Sequence, residues 1–122
     1  MDRTRLGRKG EELAARFLEE RGWTILSRNY RWGSKELDLV ARKGRVLAFV
    51  EVKTRRGSEF GDALEGITWK KRKEVEACAR AWIGEHPGPP GFLWRFDAVA
   101  VRLEDDGSGT IEHLEDAWRV GD

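Results

Sequence analysis

Glu36-Leu37-Asp38-Leu39-Val40-Ala41-Arg42-Lys43-Gly44-Arg45-Val46-Leu47-Ala48-Phe49-Val50-Glu51-Val52-Lys53 is the stretch on which the fold turns. From Glu36 to Arg42 the residues alternate, with Leu37, Leu39 and Ala41 to one side and Glu36, Asp38 and Val40 to the other, the period of a β-strand. A Lys43-Gly44 turn then leads into Val46 to Lys53, giving a β-hairpin. The second strand is almost entirely apolar through Val52, which predicts a central strand covered on both faces. A charged residue near the end of such a strand requires a reason.

Working outward, Leu6, Leu13, Ala14, Phe17 and Leu18 recur at helical spacing and predict an amphipathic helix from about Arg5 to Arg21, stopped by Gly22. Trp23 to Ser27 reads as a short strand and Arg28 to Ser34 as a loop with exposed polar and aromatic groups. On the far side of the hairpin, Gly57 to Gly66 reads as a loop. Ile67 to about Gly84 reads as a second helix with Val75, Cys78, Ala79, Trp82 and Ile83 on its apolar face. The run from His86 to Gly91 is too rich in Pro and Gly to continue it. Phe92 to Leu103 and Thr110 to Leu114 close the chain as a strand pair. The order α-β-β-β-α-β-β predicts an α/β domain over residues 1–122, a mixed β-sheet flanked by helices.

Strand geometry puts Glu51 and Lys53 on one face with Leu47 and Phe49. If Lys43 and Gly44 are the turn residues, Asp38 lies opposite Phe49 and diagonal to Glu51, so Asp38, Glu51 and Lys53 share that face. A loop of odd length would send Asp38 to the other side. Two carboxylates converging at a strand end make a hard oxygen site suited to Mg²⁺, and an adjacent ammonium can orient water or offset charge on a phosphorane. Glu11 borders the buried side of helix one and can face the same pocket. Each residue also has an ordinary reading, as a capping acid or a surface ion pair.

The chain of 122 residues has 39% hydrophobic and 37% charged residues, and no apolar run approaches the roughly 20 residues of a membrane helix. Its opening residues lack the apolar core of a secretory signal, so a cytoplasmic location is expected. Cys78 is the only cysteine, and with His86 and His113 alone beside it the ligands for a structural zinc site are missing. The net charge of +1 conceals an asymmetry. Through Lys73 there are 19 basic and 11 acidic residues (+8), and after it 4 and 11 (−7). A basic region of this kind commonly meets nucleic acid, although a solvated charged surface would look the same. Of the tryptophans, Trp23, Trp82, Trp94 and Trp118 are expected in the core.

Gly7-x-x-Gly10-Glu11, Glu36-Leu37-Asp38-Leu39-Val40, Phe49-Val50-Glu51-Val52-Lys53-Thr54-Arg55, Thr68-x-x-Lys71 and Arg95-Phe96-Asp97 follow one another along the chain. In that order they resemble the motifs of the YraN-like proteins, predicted endonucleases related to the archaeal Holliday junction resolvases of the PD-(D/E)XK superfamily. The likeness runs from about Gly7 to Trp118. It implies a restriction-endonuclease-like core in which Asp38, Glu51 and the Val52 carbonyl hold a catalytic Mg²⁺ (or Mn²⁺). Lys53 is then the catalytic lysine and Glu11 the helix-one acid of the resolvase-like branch. Lys71 matches a second-helix lysine for which phosphate contact and support of the site are both open. Ser34-Lys35 stands where the family usually has Gly before the Glu-x-Asp motif.

Glu36 can be a further ligand or a partner of Arg55 or Lys35, and Asp97 can be structural, pairing with Arg95. Arg8, Lys9, Arg31, Arg55, Arg56 and Lys71 flank these motifs and would meet phosphates, while Trp32 could stack on unpaired bases. The expectation is a metal-dependent DNA endonuclease acting on structured or branched DNA in repair or recombination. A homodimer is a family-level expectation. The alternatives are a non-catalytic nucleic-acid-binding module and a partner-docking protein that keeps the fold.

Overall fold

A computed structural model describes residues 3–57, 66–88 and 90–121. Helix α1 (Arg3–Glu20) precedes three strands, β1 (Thr24–Trp32), β2 (Lys35–Lys43) and β3 (Val46–Arg56). Helix α2 (Trp69–Glu85) then leads to β4 (Leu93–Leu103) and β5 (Gly109–Trp118). The five strands form one sheet in the order β1-β2-β3-β4-β5, antiparallel except for the central β3–β4 pair, which is parallel and joined through α2. This is the mixed α/β architecture expected from the sequence. Residues 58–65, most of the expected Gly57–Gly66 loop, lie outside the described residues.

The two helices cover opposite faces. Ala14, Ala15 and Leu18 of α1 pack with Leu39, Ala41, Ala48, Val50, Val52, Val99 and Val101. Val75, Cys78, Ala79 and Trp82 of α2 pack with Val40, Leu47, Phe49 and Ala98. Strand β3 therefore alternates between two cores, and Leu47 to Val52 are buried without a break, as a central strand requires. Phe49 is the hub of the α2 side, edge-on to Trp82 at 6.0 Å and 5.9 Å from Phe96. Helix α1 ends with the amides of Gly22 and Trp23 bonding the carbonyls of Glu19 and Leu18, and Leu18 and Trp23 meet in the core behind that turn. Thr68 caps α2, its side chain accepting from the Lys71 amide at 3.1 Å.

Three expectations need correction. Lys43 pairs with Val46, so the hairpin turn is Gly44-Arg45 rather than Lys43-Gly44; glycine supplies the φ of +59° at its first position. The register moves by two residues, and Asp38 falls one step beyond the Leu39–Val50 pair, across from Glu51 rather than Phe49. Because the shift is even, it does not by itself change the face along the regular ladder, which ends at Leu39–Val50. Second, β1 continues through Trp32, where a loop was expected after Ser27. It is an edge strand paired only with β2, so its polar and aromatic side chains stay largely exposed while its backbone is bonded. Third, Trp94 is 54% exposed, whereas Trp23, Trp82 and Trp118 are buried. Trp94 opens β4 next to the Gly91 turn and lines a cavity of about 500 Å³ with Trp82, Ile83 and Phe92. That cavity sits toward the turn end of the hairpin, away from the acids.

Candidate active site

The acids gather where β2 and β3 part. Their ladder ends at Leu39–Val50, and beyond it the Val52 amide donates to Asp38 Oδ2 at 2.7 Å. A side chain thus takes the place of the next backbone partner. The alternation of β2 breaks at the same point, since Leu37 packs on the α2 side although Leu39 packs on the α1 side. Residues Leu37 to Ala41 are buried throughout. Asp38, 8% exposed, consequently interacts with Glu11 of α1 and with Glu51 on the α2 side.

Glu11 reaches this point because α1 passes very close to β3. A Cβ at Gly10 would overlap Thr54 Oγ1 and come within 2.9 Å of Thr54 Cβ and Cγ2. Only glycine permits that approach, which gives the Gly-Glu pair of the first motif a physical reason. Carboxylate oxygens of Glu11, Glu36 and Asp38 all lie within 4.8 Å of one another. Glu51 is outside that triad and next to Asp38. Its Oε2 is buried without a hydrogen bond, and the Lys71 Nζ is 4.0 Å away.

Electrostatics follow from this crowding. Burial pushes the Glu51 carboxyl up to about 8, and the charge of Asp38 adds to the rise while Lys71 and Lys53 oppose it. Glu11 is raised to about 7 by burial and then by Asp38 and Glu36. Asp38 is raised by burial in spite of the Val52 amide. The cluster therefore attracts protons or a cation at neutral pH. Oxygen donors only, several carboxylates and a buried oxygen without a hydrogen bond suit a hard divalent ion. Asp38 is common to both possible groupings, one with Glu11 and Glu36 and one with Glu51.

The structure brings together Glu11, Glu36, Asp38 and Glu51, with Val52 joined through its amide. Lys53 is half-buried and its charge acts on Glu51. Lys71 turns toward the acids, 4.0 Å from both Glu51 and Glu74. Glu36 forms its ion pair with Arg31, at 3.4 Å, in place of the expected Arg55 or Lys35. Arg8 lines a polar cavity of about 200 Å³ with Glu11, Glu12, Arg28, Asn29 and Leu39. Lys9 and Trp32 are exposed, the latter with the Lys35 ammonium 5.3 Å above its ring. Arg56 pairs with Asp105 at 3.5 Å, and Arg55 donates to the Thr54 carbonyl at 3.3 Å.

Asp97 belongs elsewhere. It is fully buried and is bound by Arg95 at 2.8 and 2.9 Å, by His113 at 2.7 Å and by the Asp116 amide at 3.0 Å. These contacts hold its carboxyl below the usual range despite the burial. Its role is to tie β4 to β5. One residue escaped the sequence reading: Asn29 donates to Glu11 Oε2 at 2.8 Å and to Glu36 Oε1 at 3.3 Å. The only signal was that it is the sole asparagine of the chain, placed in what read as a loop.

The family model of the uncharacterised protein family UPF0102 matches residues 10–101, a span that includes Glu11, Asn29, Glu36, Asp38, Glu51, Lys53 and Lys71. UPF0102 proteins of Nocardia farcinica and Pelotomaculum thermopropionicum are each 46% identical over 114 residues, covering 93% of this chain and 89% and 94% of their own length. One from Parafrankia sp. is 43% identical over 114 residues, covering 93% of this chain and 96% of its own. No helix among the described residues is long and apolar enough to cross a membrane. The chain belongs to the protein family UPF0102, the YraN-like group that its motifs resemble.

Proposed function

We propose that the protein is a metal-dependent endonuclease that hydrolyses phosphodiester bonds of structured or branched DNA, working in the cytoplasm. The observation that carries this reading is the gathering of Glu11, Glu36, Asp38 and Glu51 at the parting of β2 and β3, with the buried Glu51 Oε2 lacking a hydrogen bond. The group that fits is Mg²⁺ or Mn²⁺, held by Asp38 with Glu51 and the Val52 carbonyl, or with Glu11 and Glu36. Bound there, it would supply charge for the phosphate and lower the pKa of an attacking water.

The remaining work belongs to the chain. Lys53, on the strand face of Glu51, places an ammonium where negative charge grows on the phosphate in the transition state. Lys71 supports it from α2 by partly balancing Glu51. The first turn of that helix carries Lys70, Lys71 and Arg72 and no acid, an arrangement opposed to its own dipole and suited to a passing phosphate backbone. Arg8, Lys9, Arg31, Arg55, Arg56 and the exposed Trp32 extend the surface. Contacts of this type follow backbone shape rather than base sequence, which fits a nuclease that reads DNA structure.

The test is incubation with labelled duplex, single-stranded, flap and four-way-junction DNA in Mg²⁺ or Mn²⁺, beside Asp38→Ala and Lys53→Ala. Cleavage of at least one substrate is expected, abolished by EDTA and reduced on the order of 100-fold or more in each variant. Binding of the whole panel without cleavage in either metal refutes the enzyme and leaves a DNA-binding module. Cleavage that survives Asp38→Ala refutes the site.

A further inference from the structure

We propose that Asn29 is a positioning residue of the cation site, its carboxamide, supplied from β1, fixing Glu11 of α1 and Glu36 of β2 beside Asp38 so that the three acids present one ligand surface. The inference rests on the cation site proposed above. It concerns how that site is assembled, and no chemical step is assigned to Asn29 itself.

Three observations converge. First, β1 pairs with β2 at Arg28–Leu39 and Tyr30–Leu37, and the intervening position, where Asn29 would face Asp38, drops out of the ladder. Second, Asn29 has φ of +50°, a left-handed conformation in the middle of a strand. For an L-residue that conformation is unfavourable, least so for Asn and Asp, whose short polar side chains bond locally. Third, the displaced side chain uses one NH₂ group to bridge two carboxylates, Glu11 Oε2 at 2.8 Å and Glu36 Oε1 at 3.3 Å. Glu11 arrives from α1 and Glu36 from β2, so the amide joins elements that no regular backbone hydrogen bond connects at this point.

The residue type fits the task. Ionised carboxylates only accept hydrogen bonds, so the amide nitrogen must be the atom that faces them. A lysine or arginine in the same place would hold the two acids by neutralising them and would compete with a divalent cation. A neutral amide orients them and leaves their charge intact. Glycine would adopt the backbone without strain but has no donor. Glu11 gives Asn29 one oxygen and keeps a second, while the other oxygen of Glu36 faces the exposed Arg31 at 3.4 Å. Groups that orient metal ligands in this way typically change metal affinity by roughly 10–100-fold when removed.

Asn29→Gly is the clean perturbation, because it keeps φ accessible and removes only the amide. Mn²⁺ titrated into the full chain by calorimetry at pH 8 should bind the wild type, and bind Asn29→Gly about 10-fold or more weakly. The melting temperature in EDTA should stay within a few degrees. Cleavage at saturating Mn²⁺ should fall much less than the affinity, a split that general loosening of the strand would not give. A wild-type Kd in Asn29→Gly overturns the role of Asn29 while the cation site stands. Absence of Mn²⁺ binding by the wild type overturns both. If glycine loosens β1, Asn29→Asp keeps the volume and the left-handed preference but cannot donate. A Kd weaker than wild type in that variant supports the proposal, and one equal to or tighter than wild type overturns it.

Discussion

Glu51→Gln should make the cation-free protein more stable in alkaline solution and leave it nearly unchanged in acid. Glu51 is 4% exposed, and its carboxyl is raised from 4.5 to about 8, first by burial and then by Asp38. A folded value above the unfolded one means that the native state holds the proton more tightly. The stability that this group contributes is complete below pH 4.5 and is lost as pH rises through about 8. At about 1.4 kcal/mol per pH unit, full ionisation costs on the order of 5 kcal/mol as an upper bound, and about 3 kcal/mol is a working value for a pair as closely joined as Asp38 and Glu51. Glutamine keeps the shape and cannot ionise.

Thermal denaturation followed by circular dichroism in EDTA should place Glu51→Gln about 10 °C above the wild type at pH 9 and within about 2 °C of it at pH 5. Millimolar Mg²⁺ should narrow the gap at pH 9 by stabilising the wild type more than the variant. An equal difference at the two pH values, or a variant less stable than the wild type at pH 9, would show that Glu51 is satisfied in the fold and that the site has no unmet demand for positive charge.

Two further substitutions probe what positions the site and what does not. Gly10→Ala, by driving a methyl group into Thr54, should push α1 from β3, lower stability by about 1–3 kcal/mol in urea denaturation and weaken Mn²⁺ binding through Glu11; unchanged affinity would separate Glu11 from the site. Asp97→Asn should cost about 3–5 kcal/mol in the same denaturation, since it leaves Arg95 and His113 facing a neutral group, while folded protein retains its cleavage rate. The folded carboxyl of Asp97 lies below its ordinary value, so its contribution is present above about pH 4 and disappears only as pH falls through that lower value. A variant whose loss is already gone at pH 6 would contradict this account.

Periodicity made the helices and the central strand legible, because burial on two faces leaves an unbroken apolar run in β3 and an apolar stripe on α2. The nearness of Asp38 to Glu51 was legible in part: with the turn misplaced by one residue, the register error of two preserves parity along the regular ladder, but the break in β2 at Asp38, which turns it toward Glu11 as well, leaves no mark in the alternation of the sequence. Strand β1 was cut short because Arg28 to Trp32 pair through the backbone along a sheet edge, and an edge strand with mostly exposed side chains lacks the alternation that marks a half-buried one. Trp94 misled for a related reason, since its type favours burial but its position at the opening of β4 leaves it against a cavity. Asn29 was out of reach: what makes it matter is a φ of +50° and the separation between α1 and β2, neither of which the local sequence specifies.

Asp97, one strand away from β3 in the same sheet, shows by contrast what the acids at the parting of β2 and β3 lack. Asp97 is at least as deeply buried as Asp38 and Glu51, yet the fold surrounds it with an arginine, a histidine and a backbone amide, and its proton affinity drops. Nothing about this scaffold prevents a buried carboxylate from being satisfied. At the other site Asp38 takes a single backbone amide, Glu51 Oε2 takes no hydrogen bond, and the nearest cation to Glu51 stands off at 4.0 Å. A third and a fourth acid are then brought alongside, one of them by a helix whose approach depends on a glycine. Packing alone would select against that arrangement, because the fold gains nothing from like charges held together in low dielectric. The gain has to come from outside the chain, and a hard divalent cation, the group proposed above, is the partner that a set of oxygen ligands suits.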